Sequence, residues 1–108
     1  MLITVDAGNT NITLGVFKEK KVYATFRMTT QMARTSDEYG VLIAEMLGRK
    51  GISPKDIEAV IISSVVPKIM YSLTNGIYKY IGLHPIVIEA GTKTGIKIQR
   101  ANPREVGT

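Results

Sequence analysis

The chain has no cysteine and no tryptophan, and only one histidine. Without thiols there is neither a disulfide staple nor a thiolate metal site, so packing must supply the stability, and a reducing compartment suits the chain. The lone His84 has no second histidine near it in sequence and is more often structural than a metal ligand, so it receives no role. No apolar run approaches the roughly 18–20 residues of a membrane span, and Met1 is not followed by a basic region and an apolar signal segment. The chain therefore reads as cytoplasmic. Aromatics are scarce, five Tyr and two Phe, and they do not interleave with the basic residues as base-stacking platforms do. There is no internal repeat and no low-complexity tract.

What is present is enough for one domain: 108 residues with 44% hydrophobic content bury a real core but do not divide into two. The net charge is +5, from 14 Lys and Arg against 9 Asp and Glu. These cations are scattered, and the densest run, Lys18 to Lys21, is broken by Glu19 and lies between two strand-like segments. A charged hairpin tip explains that run better than a nucleic-acid patch.

The most informative segment is Asp6-Ala7-Gly8-Asn9-Thr10-Asn11, entered from Leu2-Ile3-Thr4-Val5 and left through Ile12-Thr13-Leu14-Gly15-Val16-Phe17. Aliphatic and β-branched residues on both sides favour extended backbone, and Gly8 and Asn9 tolerate the positive φ of a tight turn. Such a turn can grip a phosphate. Gly8 permits close approach of backbone amides, Asn9, Thr10 and Asn11 add neutral donors, and Asp6 at the strand end can hold Mg²⁺ through water. The same letters also serve an ordinary hairpin turn with a solvated Asp.

Further along, Val22–Met28 predicts a third strand in an antiparallel meander, and Thr29–Arg34 a polar linker. Thr35-Ser36-Asp37-Glu38 has capping-box spacing, with Thr35 at N-cap and Glu38 at N3. Tyr39, Leu42, Ile43, Met46 and Leu47 then form one helical stripe that Gly51 terminates. Ser53-Pro54 predicts a single turn. Ala59–Ser64, continuously apolar at first, reads as a central parallel strand covered on both faces. Pro67 starts a second helix carrying Ile69, Met70, Leu73, Ile77, Tyr80 and Ile81 up to Gly82, and Pro85–Ile88 is a further short strand. Gly91–Gly95 reads as a loop, Ile96-Lys97-Ile98 as a strand candidate and Asn102–Thr108 as a polar end. The expected fold is α/β, in the order β-β-β-α-β-α-β. A three-stranded antiparallel meander followed by parallel strands with crossover helices matches the ribonuclease H-like half of actin-like ATPases. Residues 1–90 form that half, and 91–108 a substrate-loop segment leading towards a second half.

Among the other acids, Asp37 and Glu38 fit capping and the helix dipole. Asp56 and Glu58 fit solvated surface. Glu89, at the end of a core strand, is a weaker cleft candidate, and Glu105 suits a substrate loop or a solvated tail.

Three segments in order, Asp6–Asn11, Ile62-Ser63-Ser64-Val65-Val66-Pro67 and Asn102-Pro103-Arg104-Glu105-Val106-Gly107-Thr108, resemble the type III pantothenate kinases, also called Baf-type transcriptional activators. The resemblance spans the whole chain. It implies an ATP-dependent kinase acting on pantothenate at the first step of coenzyme A biosynthesis, with Asp6, Ala7, Gly8, Asn9, Thr10, Asn11, Ile12 and Thr13 as the phosphate loop and Asp6 near Mg²⁺. It further implies that Ser63–Pro67 shape the cleft floor, that Gly107 and Thr108 begin the pantothenate loop, and that Arg100 stands at a substrate contact where the family has Tyr. The family's base, an Asp in an Asp-Arg pair, is implied just beyond Thr108, as are a monovalent-cation site (K⁺ or NH₄⁺) and a homodimer. The chain alone is therefore expected to be inactive.

Two other classes compete with the kinase. A regulatory nucleic-acid-binding module is suggested by the charge and the alternative family label, and a salt-dependent duplex-DNA gel shift discriminates it. A ribonuclease H-like nuclease needs several carboxylates converging on two metals, and the neighbouring strands supply none beside Asp6.

Overall fold

Alternation of apolar and polar residues, with turn chemistry between the runs, produces five strands and two helices in the computed structural model, which describes residues 1–89. Strand β1 (Leu2–Ala7) pairs antiparallel with β2 (Asn11–Lys18), and β2 pairs antiparallel with β3 (Lys21–Thr29). Helix α1 (Ser36–Arg49) follows, then a 3-10 turn (Pro54–Asp56), β4 (Ala59–Ser64), α2 (Pro67–Ile81) and β5 (Ile86–Glu89). β4 runs parallel to both β1 and β5, and the sheet order is β3-β2-β1-β4-β5. The expected element order is observed. The strand candidate at 96–98, the loop at 91–95, the polar end and the boundary between 90 and 91 lie outside the described residues.

One sheet face makes the core. Ile3, Val5 and Ala7 of β1, Ile12, Leu14 and Val16 of β2, and Val60 and Ile62 of β4 are all buried in one cluster with residues of both helices. α1 contributes Tyr39, Ile43 and Leu47, and α2 contributes Ile69, Leu73, Ile77 and Ile81. Each fully buried Leu or Ile stabilises the fold by roughly 1.5–3 kcal/mol. The two ion pairs of the described residues are solvent-exposed, a class worth about 0–1 kcal/mol each. The apolar layer is therefore what holds the fold together. β4 is interior and parallel as expected, but only one of its faces is covered: Val60 and Ile62 are buried, while Ala59, Ile61 and Ser63 are half-exposed. The reason is that α1 and α2 pack side by side on the same face of the sheet.

Local signals set the helix ends. The Thr35 N–H donates to Glu38 Oε1 at 2.7 Å and the Glu38 N–H to Thr35 Oγ1 at 3.1 Å, which closes the predicted capping box. Gly51, just beyond the α1 C-cap, has φ +75, the left-handed geometry that glycine adopts without a Cβ penalty. Asp56 lies on the solvated surface as expected and also caps the 3-10 turn by accepting from the Ser53 N–H at 2.9 Å.

The α1–α2 crossing has no counterpart in the sequence reading. Gly40 and Gly76 face each other there, and a β-carbon on Gly76 would collide with the Ser36 carbonyl and lie 2.9 Å from the Gly40 nitrogen. The helices approach too closely for any side chain at those positions. Beside the crossing, Asp37 Oδ1 accepts from Lys79 Nζ at 2.7 Å and from the Tyr80 hydroxyl at 3.0 Å. Those two donors, Lys79 first, hold the Asp37 carboxyl below its usual range. Asp37 thus ties α1 to α2 in addition to sitting in the first turn of α1.

Candidate functional site

The first feature of the site is where strand periodicity puts Asp6. β1 continues through Ala7, so Asp6 belongs to the strand; its neighbours Val5 and Ala7 point into the core and Asp6 points to the opposite, open face. Asp6 is in register with Thr13 of β2 and with Ser63 of β4, and Thr13 is in register with Arg27 of β3. A row Arg27, Thr13, Asp6, Ser63 thus crosses the open face near the carboxyl end of β1. Asp6 is exposed and belongs to neither ion pair of the described residues. Its carboxylate is free to meet a cation. Among the described residues no three His, Cys, Asp or Glu side chains converge on a common point, so the multi-carboxylate arrangement of a two-metal nuclease is not found there.

The second feature is the Gly8–Asn11 loop, which is built differently from expectation. Neither Gly8 nor Asn9 has positive φ. The Gly8 N–H donates to the Asn11 carbonyl at 2.9 Å, and the rest of the loop is held from outside. Thr30 Oγ1 donates to the Gly8 carbonyl at 2.7 Å, and the Thr30 N–H donates to the Thr10 carbonyl at 2.9 Å. With both carbonyls clamped by Thr30, the turn does not need left-handed residues. Position 8 is also tight: a β-carbon there would stand 3.3 Å from the Asn11 carbonyl oxygen, so any larger residue would push that carbonyl by a few tenths of an ångström.

This arrangement leaves particular groups available. The backbone N–H groups of Asn9 and Thr10 have no protein acceptor among the described residues, and Asn9, Thr10 and Asn11 are exposed. Thr13 is half-exposed in the Asp6 row. The Ala7 and Ile12 side chains, by contrast, are buried at 1% and 0% exposure and can serve a ligand only through their backbone. At the root of the loop, the Val65 N–H donates to the Ala7 carbonyl at 3.1 Å, and Ser64 Oγ accepts from the Val66 N–H at 2.9 Å. Two segments singled out from sequence, Asp6–Asn11 and Ser63–Pro67, are therefore neighbours. Arg100, Gly107, Thr108 and the rest of Asn102–Thr108 lie outside the described residues.

Other candidates separate from this site. Glu38 caps α1, and His84 stacks on Tyr78 with ring centroids 4.1 Å apart. The Lys18–Lys21 run is a hairpin tip as expected, with Lys18 paired to Lys21 and Lys18 Nζ 6.0 Å from the Tyr23 ring centroid. An open hollow lined by Gln31, Arg34, Asp37, Glu38, Val41 and Leu42 lies along α1 rather than at Asp6. Thr30 is the residue that sequence reasoning missed. It lay in an unpatterned polar linker, and no local signal marks a threonine that bonds 22 positions away.

Residues 2–108 match the family model described as type III pantothenate kinase. The curated type III pantothenate kinase of Agathobacter rectalis is 52% identical over 107 residues, covering 99% of this chain and 41% of that protein. The chain thus spans less than half the length of this relative. Solved structures show the fold at lower identity. A candidate N-acetylglucosamine kinase from Porphyromonas gingivalis aligns with a TM-score of 0.57 and 22% identity over 82% of this chain and 33% of its own. RuvC of T. thermophilus, solved in complex with a Holliday junction substrate, aligns with a TM-score of 0.55 and 15% identity over 82% of this chain and 64% of its own. These likenesses support the ribonuclease H-like, actin-like ATPase fold expected from the strand order and say nothing of chemistry. Among the described residues, no helix is long and apolar enough to cross a membrane. With its loop and β4 exit side by side and a family match from residue 2 to residue 108, the chain belongs to the type III pantothenate kinases.

Proposed function

We propose that this chain forms the nucleotide-gripping wall of an ATP-dependent kinase that phosphorylates pantothenate in the cytoplasm. The observation that carries the proposal is the juxtaposition of an exposed Asp6 that is in no ion pair among the described residues with two backbone N–H groups that have no protein acceptor among them. Phosphoryl transfer depends chiefly on positioning and charge neutralisation, and free amides beside a free carboxylate suit a triphosphate with its metal.

In this reading Gly8–Asn11 cradle the phosphates through the Asn9 and Thr10 amides, and the Asn9, Thr10, Asn11 and Thr13 side chains add donors. Asp6 holds Mg²⁺ through water, as a single carboxylate commonly does. Mg²⁺ bound there would offset phosphate charge. Residues 1–90 make the wall. Arg100, Gly107 and Thr108 belong to the pantothenate loop that 91–108 begins. The proposal assigns the hydroxyl base, the monovalent-cation site, the second wall and the dimer contacts to other parts of the kinase, and with them the turnover that this wall by itself does not supply.

The test is a chimera in which residues 1–108 replace the matching segment of the Agathobacter rectalis enzyme. ATP-dependent formation of phosphopantothenate by the chimera, with none from the isolated chain, is the expected result. A folded chimera that binds neither ATP nor pantothenate would overturn the kinase reading. Phosphopantothenate made by the isolated chain would overturn its inactivity.

A further inference from the structure

We infer that Thr30 is a positioning residue for the nucleotide loop, aiming the Asn9 N–H at the phosphates through its bond to the Gly8 carbonyl. The inference rests on the kinase reading and deepens it. A peptide unit is planar and trans, so the carbonyl of Gly8 and the N–H of Asn9 lie in one plane and point in opposite directions. The Thr30 hydroxyl, 2.7 Å from the Gly8 oxygen, therefore fixes the direction in which the Asn9 N–H points, away from Thr30. Accepting a hydrogen bond at the oxygen also polarises the peptide and strengthens its N–H as a donor.

Three further observations give Thr30 this role. The loop does not hold itself, since no residue from Gly8 to Asn11 has left-handed φ and its one internal bond joins Gly8 to Asn11. Thr30 grips both sides of the exposed tip, because its own N–H takes the Thr10 carbonyl at 2.9 Å. Its anchor is rigid: Thr29 pairs with Asn11 at the end of β3, and the next carbonyl, of Gln31, accepts from the hydroxyl of the fully buried Tyr39 at 2.9 Å. A preorganised donor acts on a developing or bound charge without having to reorient, which is the property a phosphate loop needs.

The test uses the chimera with Thr30→Val, which keeps the branched shape and the backbone N–H but loses the hydroxyl, and Thr30→Ser, which keeps the hydroxyl. Losing the hydrogen-bond partner that orients a metal ligand typically costs ten- to a hundredfold, and by the low end of that scale Thr30→Val should raise KM for ATP about tenfold, with KM for pantothenate within about twofold and Thr30→Ser restoring KM for ATP to within about threefold. An unchanged KM for ATP in Thr30→Val, a matching rise in KM for pantothenate, or failure of Thr30→Ser to restore binding would each overturn the inference. If Thr30→Val does not fold, Thr30→Cys, with its weak donor, carries the same comparison against Thr30→Ser. An unsubstituted chimera that binds ATP yet phosphorylates no pantothenate would sink the kinase reading alone, and ATP calorimetry on the same variants would still decide the inference. Absence of ATP binding by the unsubstituted chimera would overturn both.

Discussion

β2 is shared by two hairpins whose turns contradict their letters. Gly8-Asn9-Thr10-Asn11 has the glycine and asparagine of a left-handed turn but contains no residue with positive φ. At the other end, Glu19 and Lys20, neither a favoured turn residue, sit at φ 54 and 69 between the paired Lys18 and Lys21. That geometry suits the two-residue primed turn that matches strand twist, and it costs a non-glycine residue about 1–2 kcal/mol. The charged tip meets the conformational demand with ill-suited residues, whereas the first turn places well-suited residues where no such demand exists. Left-handed backbone therefore does not account for the glycine and asparagines at 8–11.

The comparison breaks most visibly at Asp6. Asp6→Asn in the chimera is expected to lower kcat by about a hundredfold or more through lost metal placement, with thermal stability within about 0.5 kcal/mol because the side chain is exposed. Kinetics equal to the unsubstituted protein would remove Asp6 from the site. Next in size is the tip: converting Glu19-Lys20 to Asn-Gly should raise stability by about 1 kcal/mol, a melting-point gain of roughly 5 °C, while ATP binding stays unchanged. A loss of stability there would show that the left-handed residues carry no strain. Asn9→Gly makes the mirror test. With no positive φ to relieve, it should cost about 0.5–1 kcal/mol through added unfolded-state freedom, opposite in sign to the tip. A gain at both turns would erase the contrast between them.

The smallest effect lies away from both turns, in the Asp37 bridge. The Asp37 carboxyl is lowered from 3.8, so what it adds to stability is complete above that value and disappears as acid takes the pH down through the lowered one. Lys79 and Tyr80 are raised from 10.5 and 10.0, chiefly by their hydrogen bonds to Asp37, so their share is complete below those values and fades as the pH rises through the raised ones. The melting difference between the unsubstituted protein and Asp37→Asn should thus be flat from about pH 5 to pH 9 and shrink as acid takes the pH below 3.8. A melting difference that does not change with pH anywhere on the acid side would show that the charge of Asp37 contributes nothing to it.

Signals that act within a few residues were legible before any coordinates. The capping box at Thr35 and Glu38, the Pro67 helix start, the Gly51 and Gly82 stops, the helical stripes and the β-β-β-α-β-α-β order are all read from spacings of one to eight residues, because helix and strand periodicity is a local property of the backbone. The sequence alone therefore determined the element order and the fold class, and carried the family resemblance. Tertiary structure decided what lies far apart in the chain. It put Thr13 and Ser63 on either side of Asp6, brought Thr30 to Gly8 across 22 positions, joined Gly40 to Gly76, and stacked both helices on one sheet face, leaving the other open beside Asp6. Those pairings come from collapse around a single apolar layer, in which each residue's partner is chosen by the packing of whole elements and not by its sequence neighbours.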